Sequence, residues 1–395
     1  MQKYIYLDNN STTAVRHEVW ETMSPYFQEY YGNPASLQHA LGRQAAAALL
    51  QARTDIAAVL HCQKQEIFFN SGATESINTV LKGVFQRYAL KGKHIIVSTT
   101  EHKAVLNCCE ELQKLGAEIS YLPVDEQGAI SLSLLAATIR KDTILVCLMA
   151  ANNETGALHP IQEIAALCQA KDCLYFCDAT QYIGKLPLFL EHIPIDILCL
   201  SAHKFHGPKG VGILYIRRKS KPIQVHPLLH GGGQELNFRG GTQNLPLIVG
   251  MAKALTLAAE EGYNSTYIRE LRDYFEQEIC ARIPASHIIS QDVPRLPNTS
   301  MLVVEHLLAT EIMSQLPHIA LAAGSACSSA SRAPSHVLLA QGMTIEKAKA
   351  SLRVSFSMLN TADEVATLLA LLPNVVERLR AQSPIWQLVQ AGIIR

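Results

Sequence analysis

The chain has 395 residues, of which 48% are hydrophobic and 17% charged, and its 34 basic side chains balance 34 acidic ones. This composition excludes a disordered chain, and the zero net charge argues against nucleic acid or an anionic membrane as the main partner. The start, "MQKYIYLDNN", lacks the apolar core of a secretion signal, and no apolar run reaches the length of a membrane span. We therefore expect a cytoplasmic protein that binds neither nucleic acid directly nor a membrane.

Short apolar runs alternate with segments of helical length in the first half of the chain. The runs with the character of strands covered on both faces are "EIFF" (66–69), "HIIVS" (94–98), "TILVCLMA" (143–150), "CLYFC" (173–177), "DILCLS" (196–201) and "VGILYI" (211–216). The helical segments between them include "SINTVLKGVFQRYAL", "HKAVLNCCEELQKLG" and "IQEIAALCQAKD". This alternation predicts an α/β fold with a mainly parallel sheet flanked by helices, which binds ligands at the carboxyl ends of its strands.

The pattern changes from about residue 256. A long, charged helical segment, "EEGYNSTYIRELRDYFEQEICARI", leads into the shorter strands "NTSMLVV" and "LRVSFS" and a final helical stretch. We predict a large domain over residues 14–257 and a smaller α+β domain made of residues 1–13 and 258–395.

Most of the ten cysteines are expected to be inert. A chain of this length without a secretion signal keeps its thiols reduced, and it contains no C-x-x-C pair for zinc or thioredoxin-like chemistry. Cys147, Cys177 and Cys199 lie in or beside apolar runs, which predicts core packing.

Polar groups follow several of the predicted strands. "SGATES" (71–76) precedes a helix, where free N–H groups suit a phosphate, although Ser and Thr also cap ordinary helices. His102 follows "HIIVSTT", in a position where a lone histidine is usually structural. Asn153 and Glu154 belong to "ANNETG", which an Asx-type turn would also explain.

Two later strand ends carry charged side chains. Asp178 follows "CLYFC", either as a helix cap or as the partner of a buried cation. Lys204 follows "DILCLS", and a lysine that is desolvated at a sheet edge can react with a carbonyl as a neutral amine. The alternative is an exposed loop lysine, a description that fits Lys209.

These signals are weak singly, but together they match the requirements of pyridoxal 5′-phosphate. This cofactor needs a lysine for its aldehyde, an acid that keeps its pyridine nitrogen protonated, and donors around its phosphate. Ser201, His203 and Thr242, the last in "FRGGTQN", can add such donors. The sequence therefore predicts a pyridoxal-phosphate enzyme.

The chain resembles the cysteine desulfurases of the NifS/IscS type, which belong to the class-V aminotransferases of pyridoxal-phosphate fold type I. The resemblance runs in family order from residue 6 to about residue 356, through the motifs "YLDNNSTT", "GNPAS", "SGATES", "TEHKAV", "NNETG", "DATQ", "SAHKFHGPKG", "HGGGQE", "RGGT", "GSACSSAS" and "LRVSFS". It implies an aspartate aminotransferase-like fold with a seven-stranded-type sheet. It also implies the conversion of L-cysteine into L-alanine and an enzyme-bound persulfide.

The resemblance implies a role for each residue of the cofactor site. Lys204 binds the cofactor covalently and later moves protons, and His102 stacks over the ring and assists proton transfer. Asp178 pairs with the pyridinium nitrogen, and Gln181 bonds the ring hydroxyl. The positions implied to surround the phosphate are Ala73, Thr74, Ser201, Ala202 and His203.

The substrate and the partner subunit are implied in the same way. Asn153, which also borders the cofactor, and Arg353 are placed to receive the substrate carboxylate, for which a bidentate arginine is well shaped. Thr242 resembles the residue that reaches the phosphate of a partner subunit, so the family implies a homodimer.

Cys327 is the expected nucleophile. It lies in "AAGSACSSASRAPS" (322–335), where glycine and serines disfavour regular structure and lower the cost of bending. A thiolate that takes sulfur at a buried cofactor and carries it outward needs such a segment. The family also implies Cys327 as a transient ligand of an iron–sulfur cluster.

The sequence leaves several alternatives open. An aminotransferase or a selenocysteine lyase could use the same scaffold, and a non-catalytic relative could serve as a sulfur relay or scaffold protein. The sulfur acceptor is expected to be an iron–sulfur scaffold or a tRNA-thiolation protein. Because housekeeping relatives usually continue past the final "SPIWQLVQAGIIR" with a docking tail, we expect weak binding to a typical housekeeping scaffold.

Overall fold

The computed structural model describes residues 4–324 and 333–393, so Cys327 lies outside the described residues. The strands are β1 (Ile5–Tyr6), β2 (Ile67–Asn70), β3 (His94–Ser98), β4 (Glu118–Leu122), β5 (Thr143–Cys147), β6 (Leu174–Asp178), β7 (Ile197–Ser201), β8 (Gly212–Ile216), β9 (Ser286–Ile288), β10 (Thr299–Val304), β11 (Ile319–Ala320), β12 (Ala322–Ala323) and β13 (Ser351–Ser355). The helices are α1 (His17–Met23), α2 (Pro25–Gln28), α3 (Ala40–Leu60), α4 (Ala73–Arg87), α5 (Lys103–Lys114), α6 (Leu132–Thr138), α7 (Ile161–Ala170), α8 (Gln234–Asn237), α9 (Leu245–Glu260), α10 (Ser265–Arg282), α11 (Ala309–Ser314), α12 (His336–Ala340), α13 (Ile345–Lys349), α14 (Ala362–Ala381) and α15 (Pro384–Gln390).

The main sheet has the order β2-β8-β7-β6-β5-β3-β4 within the described ranges. The pairs from β4 through β3, β5 and β6 to β7 are parallel, whereas β8 runs antiparallel to both β7 and β2. The prediction of a mainly parallel α/β sheet flanked by helices is confirmed. Its carboxyl ends carry the polar motifs that the sequence singled out.

The central strands form because their side chains are apolar on both faces. Every residue of β3, β5, β7 and β8 is buried, as expected for strands covered by helices on each side. Cys147, Cys177 and Cys199 are fully buried in this sheet, and burial raises the pKa of each thiol. These three cysteines therefore stay protonated and pack as small apolar side chains.

A second, antiparallel sheet with the order β12-β13-β10-β9 follows in the last third of the chain. Its core includes Phe275 of α10, Phe356 after β13 and Leu372 of α14, and Leu7 joins it from the start of the chain. The N-terminal residues thus pack with the C-terminal third while Asn10 and Ser11 continue toward the main sheet.

The charged segment that begins near residue 260 contains one α-helix, α10, which is separate from α9 before it. α9 ends at Glu260 and α10 begins at Ser265. Between them Gly262, Tyr263 and Asn264 all have positive φ, which stops an α-helix. No helix within the described ranges is long and apolar enough to cross a membrane.

Candidate active site

The polar strand ends of the main sheet meet in one cleft of about 950 Å³. Among its lining residues are most of those predicted from the sequence, namely Ala73, Thr74, His102, Asn153, Asp178, Gln181, Ser201, His203, Lys204 and Arg353. These side chains come from separate strand ends and from β13 of the second sheet. The cleft therefore lies where the two sheets approach each other.

Lys204 ends a short 3₁₀ turn that directly follows β7. Its Nζ donates hydrogen bonds to the backbone carbonyls of Asn10 and Ser11, both at 2.8 Å. The amine is thus held within the cleft by the N-terminal segment, whereas Lys209 is exposed. The alternative of an exposed loop lysine does not apply to Lys204.

The N-terminus of α4 forms one end of the cleft. Its N-cap is Gly72, with φ of 142°, which has no side chain that could cap the terminus. The Ala73 N–H donates to Ser201 Oγ at 2.8 Å, and a Cβ added to Gly72 would lie 3.1 Å from the same oxygen. The alternative of an ordinary Ser or Thr at the N-cap position is therefore not realised, and the remaining N–H groups of this terminus suit an anion.

His203 lies beside this terminus and also borders the cleft. Burial, helped by the charges of Lys204 and Lys209, lowers the pKa of His203 to about 4. Its ring is therefore neutral at physiological pH. Nδ1 lies 3.1 Å from Thr12 Oγ1, which orients the ring.

Asp178 and His102 face the cleft from the ends of β6 and β3. Asp178 Oδ1 accepts the Thr180 N–H at 3.0 Å and the thiol of Cys199 at 3.6 Å, which fixes the carboxylate. His102 caps α5 by accepting the Ala104 N–H on Nδ1 at 3.1 Å. Burial lowers the pKa of His102, with Asp178 opposing the shift and Lys204 adding to it. His102 is thus both a structural cap and a neutral imidazole in the cleft.

Arg353 of β13 closes the cleft from the second sheet. Its guanidinium donates to the Asn153 carbonyl at 2.9 Å and to Asp8 Oδ1 and Ser11 Oγ at 2.7 Å. The Nε atom of Arg353 is buried and has no hydrogen-bond partner within the described residues. The guanidinium lines the cleft, and an arginine is well shaped for a carboxylate ligand.

Two predicted residues, Ala202 and Thr242, do not line this cleft. Ala202 is buried behind the cleft, where its N–H donates to the Val211 carbonyl at 3.2 Å. Thr242 borders a neighbouring cavity, together with Ser71 and Arg239, and not the cleft of its own chain. Cys327 belongs to residues 325–332, so its predicted role stays a prediction. The described part of the chain holds no group of three or more His, Cys, Asp or Glu suited to a metal ion.

Sequence reasoning missed two polar residues here. Asn10 lines the cleft, and Lys185 is buried against it. The Asn10 carbonyl accepts from Gln181 Nε2 at 2.9 Å as well as from Lys204, and its side chain accepts from Lys185 Nζ at 2.9 Å. A signal for Lys185 exists in "QYIGKLPLFL", where a lysine interrupts an otherwise apolar run.

Two buried carboxyl groups lie next to the site, of which Glu101 was missed and Glu154 was noted only as part of a possible turn. Glu101, beside His102, is fully buried and accepts the Met149 N–H at 2.9 Å, and burial raises its pKa well above the usual range. Glu154 accepts a short hydrogen bond from the Ser335 hydroxyl, and burial raises the pKa of Glu154 to about 7. Both lie directly beside residues that line the cleft.

The residues of the cleft fit pyridoxal 5′-phosphate. The α4 terminus with Ser201 suits its phosphate, and Asp178 offers a fixed carboxylate for its pyridinium nitrogen. Lys204 supplies the amine for its aldehyde from the same cleft. The chemistry of this donor set matches the parts that the cofactor requires.

A family model described as aminotransferase class-V matches residues 5–368. The chain belongs to this family. The match covers the residues that form the cleft, from Asn10 to Arg353.

Individual relatives are similar over nearly the whole chain. A protein of Dictyoglomus turgidum named cysteine desulfurase IscS is 43% identical over 97% of both chains. A solved structure described as a NifS-like protein has a TM-score of 0.87 and 37% identity over 95% of this chain and 99% of its own. A structure described as SspA in complex with cysteine has a TM-score of 0.79 and 34% identity over 90% of this chain and all of its own.

Proposed function

We propose that this protein removes sulfur from L-cysteine, releases L-alanine and passes the sulfur to an acceptor. It is a pyridoxal-phosphate-dependent cysteine desulfurase. The observation that carries this proposal is the convergence of Lys204, Asp178, His102 and Arg353 in one cleft. The chain that builds this cleft is 43% identical over 97% of its length to a named cysteine desulfurase. The relatives favour this activity over the aminotransferase and selenocysteine lyase alternatives.

The chain's own residues orient the substrate and move its protons. Arg353 binds the substrate carboxylate with Asn153 beside it, because its guanidinium lines the cleft and provides the complementary charge. When bound, the cofactor supplies an electron sink that weakens the bonds of the substrate's α- and β-carbons. Lys204 removes and returns protons at these carbons, and neutral His102 can accept or relay a proton nearby.

The sulfur leaves through Cys327 in this proposal. Its thiolate forms a bond to the substrate sulfur while the bond from that sulfur to the β-carbon breaks. The electron pair of the broken bond stays with carbon, which takes a proton and is released as alanine, and the enzyme keeps a persulfide. Cys327 is favoured because its neighbours are small and polar, whereas thiols such as Cys147 and Cys199 are fully buried.

Mass spectrometry of the cysteine-treated protein tests this function. We expect the mass of one sulfur atom to be added to the peptide that contains Cys327, with one alanine formed for each sulfur removed. Cys327→Ser should abolish both the added mass and catalytic alanine release. Cys280→Ser, at a partly buried thiol of α10, is the matched control and should leave both unchanged. Equal alanine release from Cys327→Ser and the unsubstituted protein would contradict the nucleophile assignment.

Several further features belong to the same proposal. We propose a cytoplasmic homodimer in which Thr242 reaches the phosphate of the partner's cofactor. We also propose a division into residues 14–257 and 1–13 with 258–395, supported by the separate apolar core around Phe275 and Phe356. The acceptor is an iron–sulfur scaffold or a tRNA-thiolation protein, and Cys327 is a transient ligand during cluster assembly.

A further inference from the structure

Lys185 follows Gln181 by four residues and is buried, whereas Gln181 lines the cleft. The segment between them consists of turns and not of a helix, because the Lys185 N–H donates to the Tyr182 carbonyl at 3.2 Å and Gly184 has a φ of 78°. These turns bring the Lys185 amine back against the Gln181 side chain.

The amine of Lys185 has two amide oxygens as partners. Its Nζ lies 2.5 Å from Gln181 Oε1 and 2.9 Å from Asn10 Oδ1. Lys185 is only 7% exposed, although lysines are rarely buried. The two hydrogen bonds of Lys185 offset the cost of burying its amine.

These contacts determine which way the Gln181 amide faces. Its oxygen accepts from Lys185, and its nitrogen donates to the Asn10 carbonyl at 2.9 Å. A carbonyl can only accept, so the reversed amide would set its own oxygen against the Asn10 carbonyl oxygen and lose that hydrogen bond. Gln181 therefore presents N–H, and not oxygen, to a further partner in the cleft that it lines.

The same amine fixes the backbone that holds Lys204. Lys185 and Asn298 Nδ2 both donate to Asn10 Oδ1, the latter at 3.0 Å. The Asn10 side chain also donates to Thr299 Oγ1 at 2.8 Å. The Asn10 carbonyl in turn accepts from Lys204 Nζ at 2.8 Å. Lys185 is thus linked to the reactive amine through one residue.

The charge state of Lys185 is consistent with these contacts. Burial, together with the charges of Lys204 and Arg353, lowers the pKa of Lys185 well below its usual range. A neutral amine has two N–H bonds, and the two amide oxygens accept both of them. A neutral group at this depth also leaves no unpaired charge beneath the cofactor site.

We propose that Lys185 is a positioning residue that holds the Gln181 amide as a donor toward the cofactor ring and fixes Asn10 beneath Lys204. The proposal rests on the proposed function, since it concerns the pyridoxal-phosphate site of that enzyme. Lys185 itself touches neither substrate nor cofactor in this arrangement. It acts through the orientation of two amides.

Titration of the apoenzyme with pyridoxal 5′-phosphate tests this role, with the visible absorption of the bound cofactor as the readout. Lys185→Met should raise the dissociation constant about tenfold, the effect of losing one oriented hydrogen bond to the ligand. The same variant should lower kcat about tenfold and leave KM for cysteine within about twofold, because Arg353 is untouched. Lys141→Met, at an exposed lysine, is the control and should match the unsubstituted protein.

A double variant separates positioning from a general structural effect. Gln181→Met alone should weaken cofactor binding as much as Lys185→Met does. Gln181→Met combined with Lys185→Met should bind the cofactor at most about twofold more weakly than Gln181→Met alone, since Lys185 acts on the ring only through Gln181 and Asn298 also holds the Asn10 side chain. This comparison also serves if Lys185→Met alone does not fold, because the paired substitution leaves no unsatisfied Gln181 oxygen.

The outcomes are distinct. Multiplying effects in the double variant, or an unchanged dissociation constant in Lys185→Met, would overturn the positioning role. An unsubstituted protein that binds pyridoxal 5′-phosphate but forms no alanine from cysteine would instead overturn the proposed function. The affinity comparison is made without cysteine, so its result does not depend on that activity.

Discussion

At the scale of single residues, Asp178 shows how an ordinary local contact supports a chemical role. Its Oδ1 accepts the Thr180 N–H at 3.0 Å, as a capping carboxylate would, and the same side chain lines the cleft. The carboxylate caps a turn, because β7 and not a helix follows Asp178 in the described ranges, so the interpretation as a helix cap is not realised. This hydrogen bond fixes the orientation of a carboxylate that lines the cleft.

Asp178→Asn should keep this cap and remove the charge. We expect kcat for alanine release to fall by about 100-fold or more, the scale seen when one group that stabilises charge in the transition state is removed. The measurement is steady-state alanine release at saturating cysteine, with cofactor content determined by absorbance. Asp292→Asn, at an exposed carboxylate, is the control and should be unaffected. Full activity of Asp178→Asn with normal cofactor content would contradict the role of Asp178.

The residues that the sequence predicted are those whose chemistry the cofactor demands. Asp178 and Lys204 end apolar strands, so their positions on one edge follow from the parallel sheet. Lys185 and Asn10 could not be found in this way. Their contact joins segments 175 residues apart, and its meaning depends on amide orientations that only the folded chain defines.

At the scale of elements, Glu154 and Ser335 join the loop after β5 to the start of α12. The Ser335 hydroxyl donates to Glu154 and accepts the N–H groups of Val337 and Leu338, so it caps α12. Next to it, His336 Nε2 lies 3.0 Å from the Glu101 carbonyl. Ser335 and His336, which follow the Cys327 segment, are thereby attached to Glu154 and to the Glu101 carbonyl. Both partners are next to residues that line the cleft.

This attachment predicts a pH dependence of stability. Burial raises the pKa of Glu154 to about 7, while in the unfolded chain it titrates near its ordinary value of 4.5. The folded state thus binds the proton of Glu154 more tightly than the unfolded chain does. Protonation of Glu154 stabilises the fold fully below about pH 4.5, and this contribution is lost as the pH rises through 7. Glu154→Gln, which does not titrate, should gain about 2 to 3 kcal/mol in free energy of unfolding relative to the unsubstituted protein between pH 5 and pH 8.

Urea unfolding at these two pH values, with saturating cofactor, measures the difference. Glu163→Gln, at an exposed position of α7, is the control and should follow the unsubstituted protein at both. If Glu154→Gln and the unsubstituted protein change in parallel between pH 5 and pH 8, Glu154 does not have the raised pKa that its burial predicts.

The elements themselves were predicted where burial was strongest. β3 has the predicted bounds, and the other central strands differ from prediction mainly at their ends, because apolar runs extend past the hydrogen-bonded residues. β4 was not predicted, since Glu118 to Tyr121 are at most half-buried and, apart from Ile119, carry polar side chains. Strands as short as β1, β11 and β12 have no periodicity to detect, and tertiary pairing alone defines them.

At the scale of the whole molecule, exposed apolar side chains and the place of Thr242 both favour a dimer. Trp20, Phe27, Tyr31 and Leu37 are each at least half exposed in a short stretch of chain. Soluble monomers rarely expose such groups together. Thr242 borders a cavity next to the α4 terminus without lining the cleft of its own chain, so it is available to another subunit.

If Thr242 completes the site of the partner, two inactive variants should restore each other. Lys204→Ala removes the reactive amine, and Thr242→Ala weakens the phosphate site in the neighbouring subunit. A mixed dimer has one site with both substitutions and one site with neither, because each site combines Lys204 of one chain with Thr242 of the other. Random exchange of subunits makes about half of the dimers mixed, so about one quarter of all sites should be intact.

Alanine release after unfolding and refolding the two variants together measures this recovery, at cofactor concentrations where Thr242→Ala alone is poorly loaded. Mixing Lys204→Ala with the double variant that carries both substitutions is the matched control. That mixture has no site with Lys204, and its activity should stay at the background level. Activity that never exceeds the mean of the separate variants would show that Thr242 serves its own subunit or none. A shared site would have been rebuilt in the mixed dimers.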